Sequence, residues 1–124
     1  MFVAKKIGPD DLAVLHGVLR RLAAGQEPPA SEVPLATRIA CRLLALRHPG
    51  GSVELRVPPL AAVQLGIGER GAHTRGTPPN VVETDADTLL RLAAGTLSWN
   101  DAVVNHRVTA SGAHADLSEV FPLG

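Results

Sequence analysis

Over Gly76–Leu123 the sequence (GTPPNVVETDADTLLRLAAGTLSWNDAVVNHRVTASGAHADLSEVFPL) switches repeatedly between strand and helix patterns, each with its own start or stop. Asn80 to Thr84 reads as a short strand. Asp85 is placed to cap the helix that follows, because its carboxylate can accept an orphan amide of the first turn. That helix runs from Ala86 to Ala94 with Leu89, Leu90, Leu92 and Ala93 as its apolar residues, and Gly95 closes it. Ser98 caps a shorter helix through Val104, with Asp101 in the capping-box position. Trp99, Ala102 and Val103 form its expected inner face. Arg107–Ala110 and Ala113–Ala115 read as two short strands around Ser111-Gly112. Asp116 is placed to cap a last helical turn, Leu117–Val120, that delivers Phe121 to the core.

The upstream half has simpler signals. After an extended lead-in over residues 1–9, Leu12, Leu15, Val18, Leu19 and Leu22 recur at three- and four-residue spacing, predicting an amphipathic helix over about 10–24. Asp10 is its expected N-cap and Gly25 its left-handed stop. A Pro-containing loop over 25–33 leads to a second helix opened by Pro34. Leu35, Ile39, Leu43 and Leu46 mark one of its faces, widened by Ala36, Ala40 and Leu44. Residues 52–57 alternate as a half-buried strand, Pro58-Pro59 turns the chain, and 60–67 reads as a second, more buried strand of a hairpin. Residues 66–79 are Gly- and Pro-rich and read as a loop.

Helices and strands in this order, without regular βαβ alternation, predict an α+β fold in one domain spanning 1–124. A mostly antiparallel sheet of about five strands would carry helices on one face. Hydrophobic residues make up 45 %, enough for a chain of this length to bury one core. Much of that fraction is Ala, Leu and Val; the aromatics are Phe2, Trp99 and Phe121. Acidic and basic residues balance at 12 each, so no cationic surplus attracts a phosphate backbone, and few aromatics remain for stacking on bases. Nucleic acid is therefore not an expected partner. Zero net charge permits self-association, and a homodimer stays open. Cys41 is the single cysteine, which rules out an internal disulfide and fits a reducing cytoplasm. The start MFVAKKIGPDD lacks a signal-peptide core, and no apolar run reaches the roughly 18 residues of a membrane span.

Taken in order, Val81-Val82-Glu83-Thr84-Asp85, Leu89-Leu90-Arg91-Leu92-Ala93-Ala94-Gly95, Leu97-Ser98-Trp99-Asn100-Asp101-Ala102 and Arg107-Val108-Thr109-Ala110-Ser111-Gly112 resemble the sterol carrier protein family. The loop Arg75-Gly76-Thr77-Pro78-Pro79-Asn80 and the ending, Ala115-Asp116-Leu117-Ser118 through Pro122-Leu123, are similar to its bacterial, actinobacterial orthologue branch. The resemblance covers about residues 31–123 and is strongest from 75 onward. It implies a sterol-carrier-like fold with an apolar cavity between sheet and helices, and no catalytic residues in the domain. With it, Leu89, Leu92, Trp99, Val103 and Phe121 become candidates to line that cavity; without it, the same residues are ordinary core.

Other chemistry is weakly signalled. His16, His48, His73, His106 and His114 do not cluster, and His114-x-Asp116 alone falls short of the three or four ligands a metal needs. Ser111 and Asp116 could be written into a triad with a histidine, but there is no nucleophile-elbow motif, and both read as turn residues. Cys41 falls on the apolar face of its helix and reads as a structural thiol. Gly66-Ile67-Gly68-Glu69-Arg70-Gly71 has dinucleotide-loop spacing, yet no helix pattern follows to hold a phosphate. The expectation is a non-enzymatic, cytoplasmic protein without cofactor or metal, binding a lipid or other apolar small molecule. An interaction or regulatory domain with a side-chain-filled core is the alternative, with Arg75–Asn80 as a contact loop. A third reading, accessory to a separate enzyme, follows from related domains fused behind a thiol-dependent isomerase or hydrolase.

Overall fold

The computed structural model describes residues 7–68 and 80–123. The lead-in before Ile7, most of the Arg75–Asn80 loop and the Gly66–Gly71 spacing beyond Gly68 lie outside the described residues, as does His73. The first helix, α1, is Pro9–Ala23. Its N-cap is Gly8 and not Asp10, because Pro9 has no amide to satisfy and fits the first helical position. Asp10 and Asp11 lie in the first turn and Arg20 and Arg21 in the last, matching the helix dipole at both ends. The helix ends where Gly25 takes a left-handed φ of 76°.

The second helix, α2 (Val33–Arg47), buries the Ala36, Ile39, Ala40 and Leu44 part of its expected face, while two of its leucines lie outside the contact. Ala36, Ile39, Ala40, Cys41 and Leu44 are buried, whereas Leu35 and Leu46 are 37 % and 43 % exposed. The small residues Ala36 and Ala40 share the contact with Ile39 and Leu44, and Leu35 and Leu46 are left at its edges. Burial pushes the Cys41 thiol up to about 12, which leaves it an inert packing group.

Strands β1 (Val53–Val57) and β2 (Ala61–Leu65) form the expected hairpin, registered from Val53 opposite Leu65 to Val57 opposite Ala61. Strand β3 (Asn80–Thr84) lies on the other side of β1 and runs parallel to it, and β4 (Val108–Ser111) pairs antiparallel with β3. The sheet is thus four-stranded and mixed, in the order β2-β1-β3-β4, where about five mostly antiparallel strands were expected. Residues 113–115 form no strand: the Asn80 side chain takes the His114 amide at 3.0 Å, a bond that would otherwise have gone to a ladder. Nor is β2 the more buried strand. It is a sheet edge, with Ala62 and Gln64 open to solvent and only Leu65 fully covered.

Helix α3 (Ala86–Ala94) and the short α4 (Trp99–Val104) have the caps their sequences announce. Asp85 accepts the Thr88 amide at 2.8 Å and its hydroxyl at 3.0 Å. The Ser98 hydroxyl accepts the Asp101 amide at 3.0 Å, and Gly95 closes α3 with a φ of 80°. A 3₁₀ turn at Ser118–Val120 follows the strands. Helices α1, α2 and α3 pack on one another and cover one sheet face, while Glu83, Gln64 and Thr109 lie exposed on the other.

The space between the two layers is filled. Val53, Leu55, Val57, Leu65 and Val82 from the sheet have at most 1 % of their surface reachable by water, as do Leu15, Ile39, Leu44 and Leu89 from the helices. Exposure this low means that these nine side chains are packed against protein atoms on nearly every side. Among the described residues, these leucine, isoleucine and valine side chains interlock where the cavity between sheet and helices was expected. Each such burial contributes roughly 1.5–3 kcal/mol of transfer free energy.

Candidate functional site

Beyond this core, the C-terminal part of the chain builds a second, smaller apolar cluster. Leu92 from the last turn of α3, Ala102 from α4 and Val108 from β4 are its buried members. Leu97, Trp99 and Phe121 pack on it and remain partly open. The local sequence explains the geometry. Gly95 reverses the chain after α3, Ser98 restarts it as α4, and Trp99 falls at the first helical position beside the reversal. The final segment returns over α3, tied down by the Leu123 amide to the Ala93 carbonyl at 2.9 Å. This brings Phe121 onto Trp99, with ring centroids 6.4 Å apart and planes 15° from parallel. Pro122 covers Gly95, where an added Cβ would sit 3.5 Å from the proline ring.

The two rings line a surface cleft of about 390 Å³ together with Leu92, Leu97 and Pro122, and with Ser98, Asn100 and Ser118 at its rim. Of the five residues singled out from sequence, the fold therefore gathers Leu92, Trp99 and Phe121 at one place. Leu89 lies in the main core with none of its surface reachable, and Val103 is 41 % exposed on the outer side of α4, next to Val104. In this six-residue helix Trp99 and Ala102, three positions apart, both meet the cluster, whereas Val103, the next residue round the helix, faces away from it. Leu97 and Pro122 were not foreseen. The Gly95 stop followed by a leucine, and the proline directly after Phe121, were the available signals.

A second cleft of about 630 Å³ adjoins the first, and Ser118 lines both. Its walls are more polar: Ser52, Asn80, His114, Asp116, Ser118 and Glu119 take part. Asn80 is almost fully buried and is bonded at both ends of its amide, donating to the Ser52 carbonyl at 3.0 Å and accepting the His114 amide. The Ser52 hydroxyl accepts the Ile67 amide at 3.0 Å. These bonds hold the ends of β1, β2 and β3 together and commit the Asn80 and Ser52 side chains to structure.

On the other side of α3, Asp87 gathers two arginines. Arg91 Nε lies 3.0 Å and Arg107 Nη2 2.8 Å from its carboxylate, and Arg91 also reaches Glu27 at 2.8 Å. The hydrogen bond from Arg91, assisted by Arg107, holds the Asp87 carboxyl below its ordinary value, against a smaller opposing effect of burial. Among the described residues no three His, Cys, Asp or Glu side chains converge as metal ligands. Asp116 accepts the Ser118 amide at 2.8 Å, which fixes the turn into the 3₁₀ segment. Gly66 has a packing reason for being glycine, since a Cβ there would collide with the Pro49 carbonyl. No helix among the described residues is long and apolar enough to cross a membrane.

Comparison with known proteins adds one finding: a family model described as "Bacterial SCP ortholog" matches residues 29–123. No curated protein matches the sequence.

Proposed function

Because this chain belongs to the bacterial sterol-carrier-protein orthologue family, we propose that it is a non-enzymatic binding protein that holds an apolar small molecule, or the apolar part of a lipid, in the cleft beside Trp99 and Phe121. The observation that carries the reading is this half-open aromatic pair. Large aromatic rings are normally buried, and here two stacked rings line a cleft of about 390 Å³ with leucines and a proline around them. That volume falls within the roughly 300–1,000 Å³ of small-molecule sites. Covering the rings with a ligand would remove apolar surface from water at about 25 cal/mol per Å². The filled space between sheet and helices argues for the cleft over the interior as the binding place.

Trp99 is the only tryptophan, so its emission reports on this cleft alone. Delipidated protein titrated with an acyl chain, a sterol and a polycyclic dye should show a saturable change in Trp99 emission with at least one of them. Phe121→Ala should weaken that binding. Silence with every probe class would refute the reading. The filled core also favours a second reading, a domain that works through protein contacts. A stable dimer in solution, combined with that silence, would select it.

A further inference from the structure

The geometry of the two rings bears on the shape of what the cleft holds. Trp99 comes from the first turn of α4 and Phe121 from the returning C-terminal segment, so two separate parts of the chain set their common orientation. The ring planes lie 15° from parallel with centroids 6.4 Å apart, and both rings remain partly open. A flat molecule lying against one ring is therefore within 15° of the other and meets both without bending. A rigid globular molecule touches each ring over a small area. A flexible chain can follow both rings, but it gives up rotational freedom at every bond it fixes, whereas a fused ring system has none to lose. Ring on ring is also favoured beyond the apolar area it buries, because the charge distribution of one π-system complements that of its neighbour. Leu92, Leu97 and Pro122 complete the apolar wall, and the hydroxyls of Ser98 and Ser118 and the carboxamide of Asn100 stand at the rim.

On the premise that this cleft is the binding place, we propose that its ligand class is a flat, fused-ring aromatic molecule with a hydroxyl or carbonyl group at one edge. The ring system stacks on Trp99 and Phe121. The edge group lies towards Ser98, Asn100 and Ser118. Acyl chains and compact saturated cages are the poorer ligands.

The test titrates the full chain with three neutral primary alcohols: 1-pyrenemethanol, which is flat, 1-adamantanemethanol, which is rigid and globular, and dodecan-1-ol, which is flexible. Trp99 emission reads binding, and each affinity is divided by the probe's own octanol–water partition. On that scale pyrenemethanol should bind about two- to tenfold more tightly than the other two. Phe121→Leu keeps an apolar side chain and removes one ring, so it should weaken pyrenemethanol by about the same factor and leave the other two within about twofold. Phe121→Tyr, which keeps the ring, should retain the preference. Trp99→Leu, followed by the pyrene's own fluorescence, should weaken pyrenemethanol as Phe121→Leu does. Equal scaled affinities for the three alcohols would overturn the aromatic class and leave the cleft as the binding place. So would a Phe121→Leu variant that weakens all three alike. No saturable response to any of the three would overturn both.

Discussion

Leu89→Ala separates a filled interior from a hollow one. Leu89 sits between the helical layer and the sheet with none of its surface reachable by water. Truncation to alanine removes an isopropyl group worth about 2.4 kcal/mol of transfer free energy, at ~0.8 kcal/mol per methylene-sized carbon. The void left behind adds to this, because neighbours collapse only partly, and close-packed leucine sites lose about 3–5 kcal/mol in all. A chain of 124 residues has an unfolding entropy near 0.26 kcal/mol/K, at about 2.1 cal/mol/K per residue. The expected fall in Tm is therefore about 12–19 °C. Had Leu89 bordered a ligand cavity, part of that group would already face empty space, and the loss would be nearer 1 kcal/mol, or about 4 °C. Far-UV circular dichroism during heating, with a urea titration to check that the slope m is unchanged, measures the difference. A loss below about 1.5 kcal/mol with unchanged m would refute the filled interior.

Two further outcomes follow from named contacts. Asp85→Ala removes the acceptor for both the amide and the hydroxyl of Thr88, whose side chain is fully buried, so it should cost about 1–2 kcal/mol in a urea titration, with Asp85→Ser restoring most of it. Asp87 has a lowered folded-state pKa, so its contribution is present above the unfolded aspartate value of about 3.9 and is lost as pH falls through the folded value. Its side chain is 54 % exposed, which limits the effect to below about 1 kcal/mol. Asp87→Asn should accordingly flatten the decline in stability below about pH 4, and the wild-type decline should shrink in molar salt.

How far the sequence could be read depended on the range of the interaction. Helix α3 begins and ends where Asp85 and Gly95 place it, because a cap is a bond between residues three or four apart. Strand β3 and the β1–β2 hairpin were legible for the same reason: alternation and the proline turn are local. The first helix was displaced by one cap because two local signals, Pro9 and Asp10, competed and the proline's fixed backbone prevailed. The parallel pairing of β1 with β3 was invisible, since a strand's period records which faces are apolar and not the direction of its neighbour. The missing strand at 113–115 turned on one distant side chain, Asn80, meeting the His114 amide 34 positions away.

Residue order alone thus determined the number and approximate place of the helices, the caps of α3 and α4, and the family to which residues 29–123 belong. Only the tertiary structure decided where empty space remains. Leu89 and Leu92 carry the same side chain on the same helix, yet one is locked among leucines and valines of the main core and the other lines the cleft beside Trp99. The reason is that packing is a property of what several distant segments bring to one point. Three helices and a sheet meet tightly over Leu89, whereas at Leu92 the chain turns away at Gly95 and returns with Phe121, leaving a cleft that the two stacked rings line.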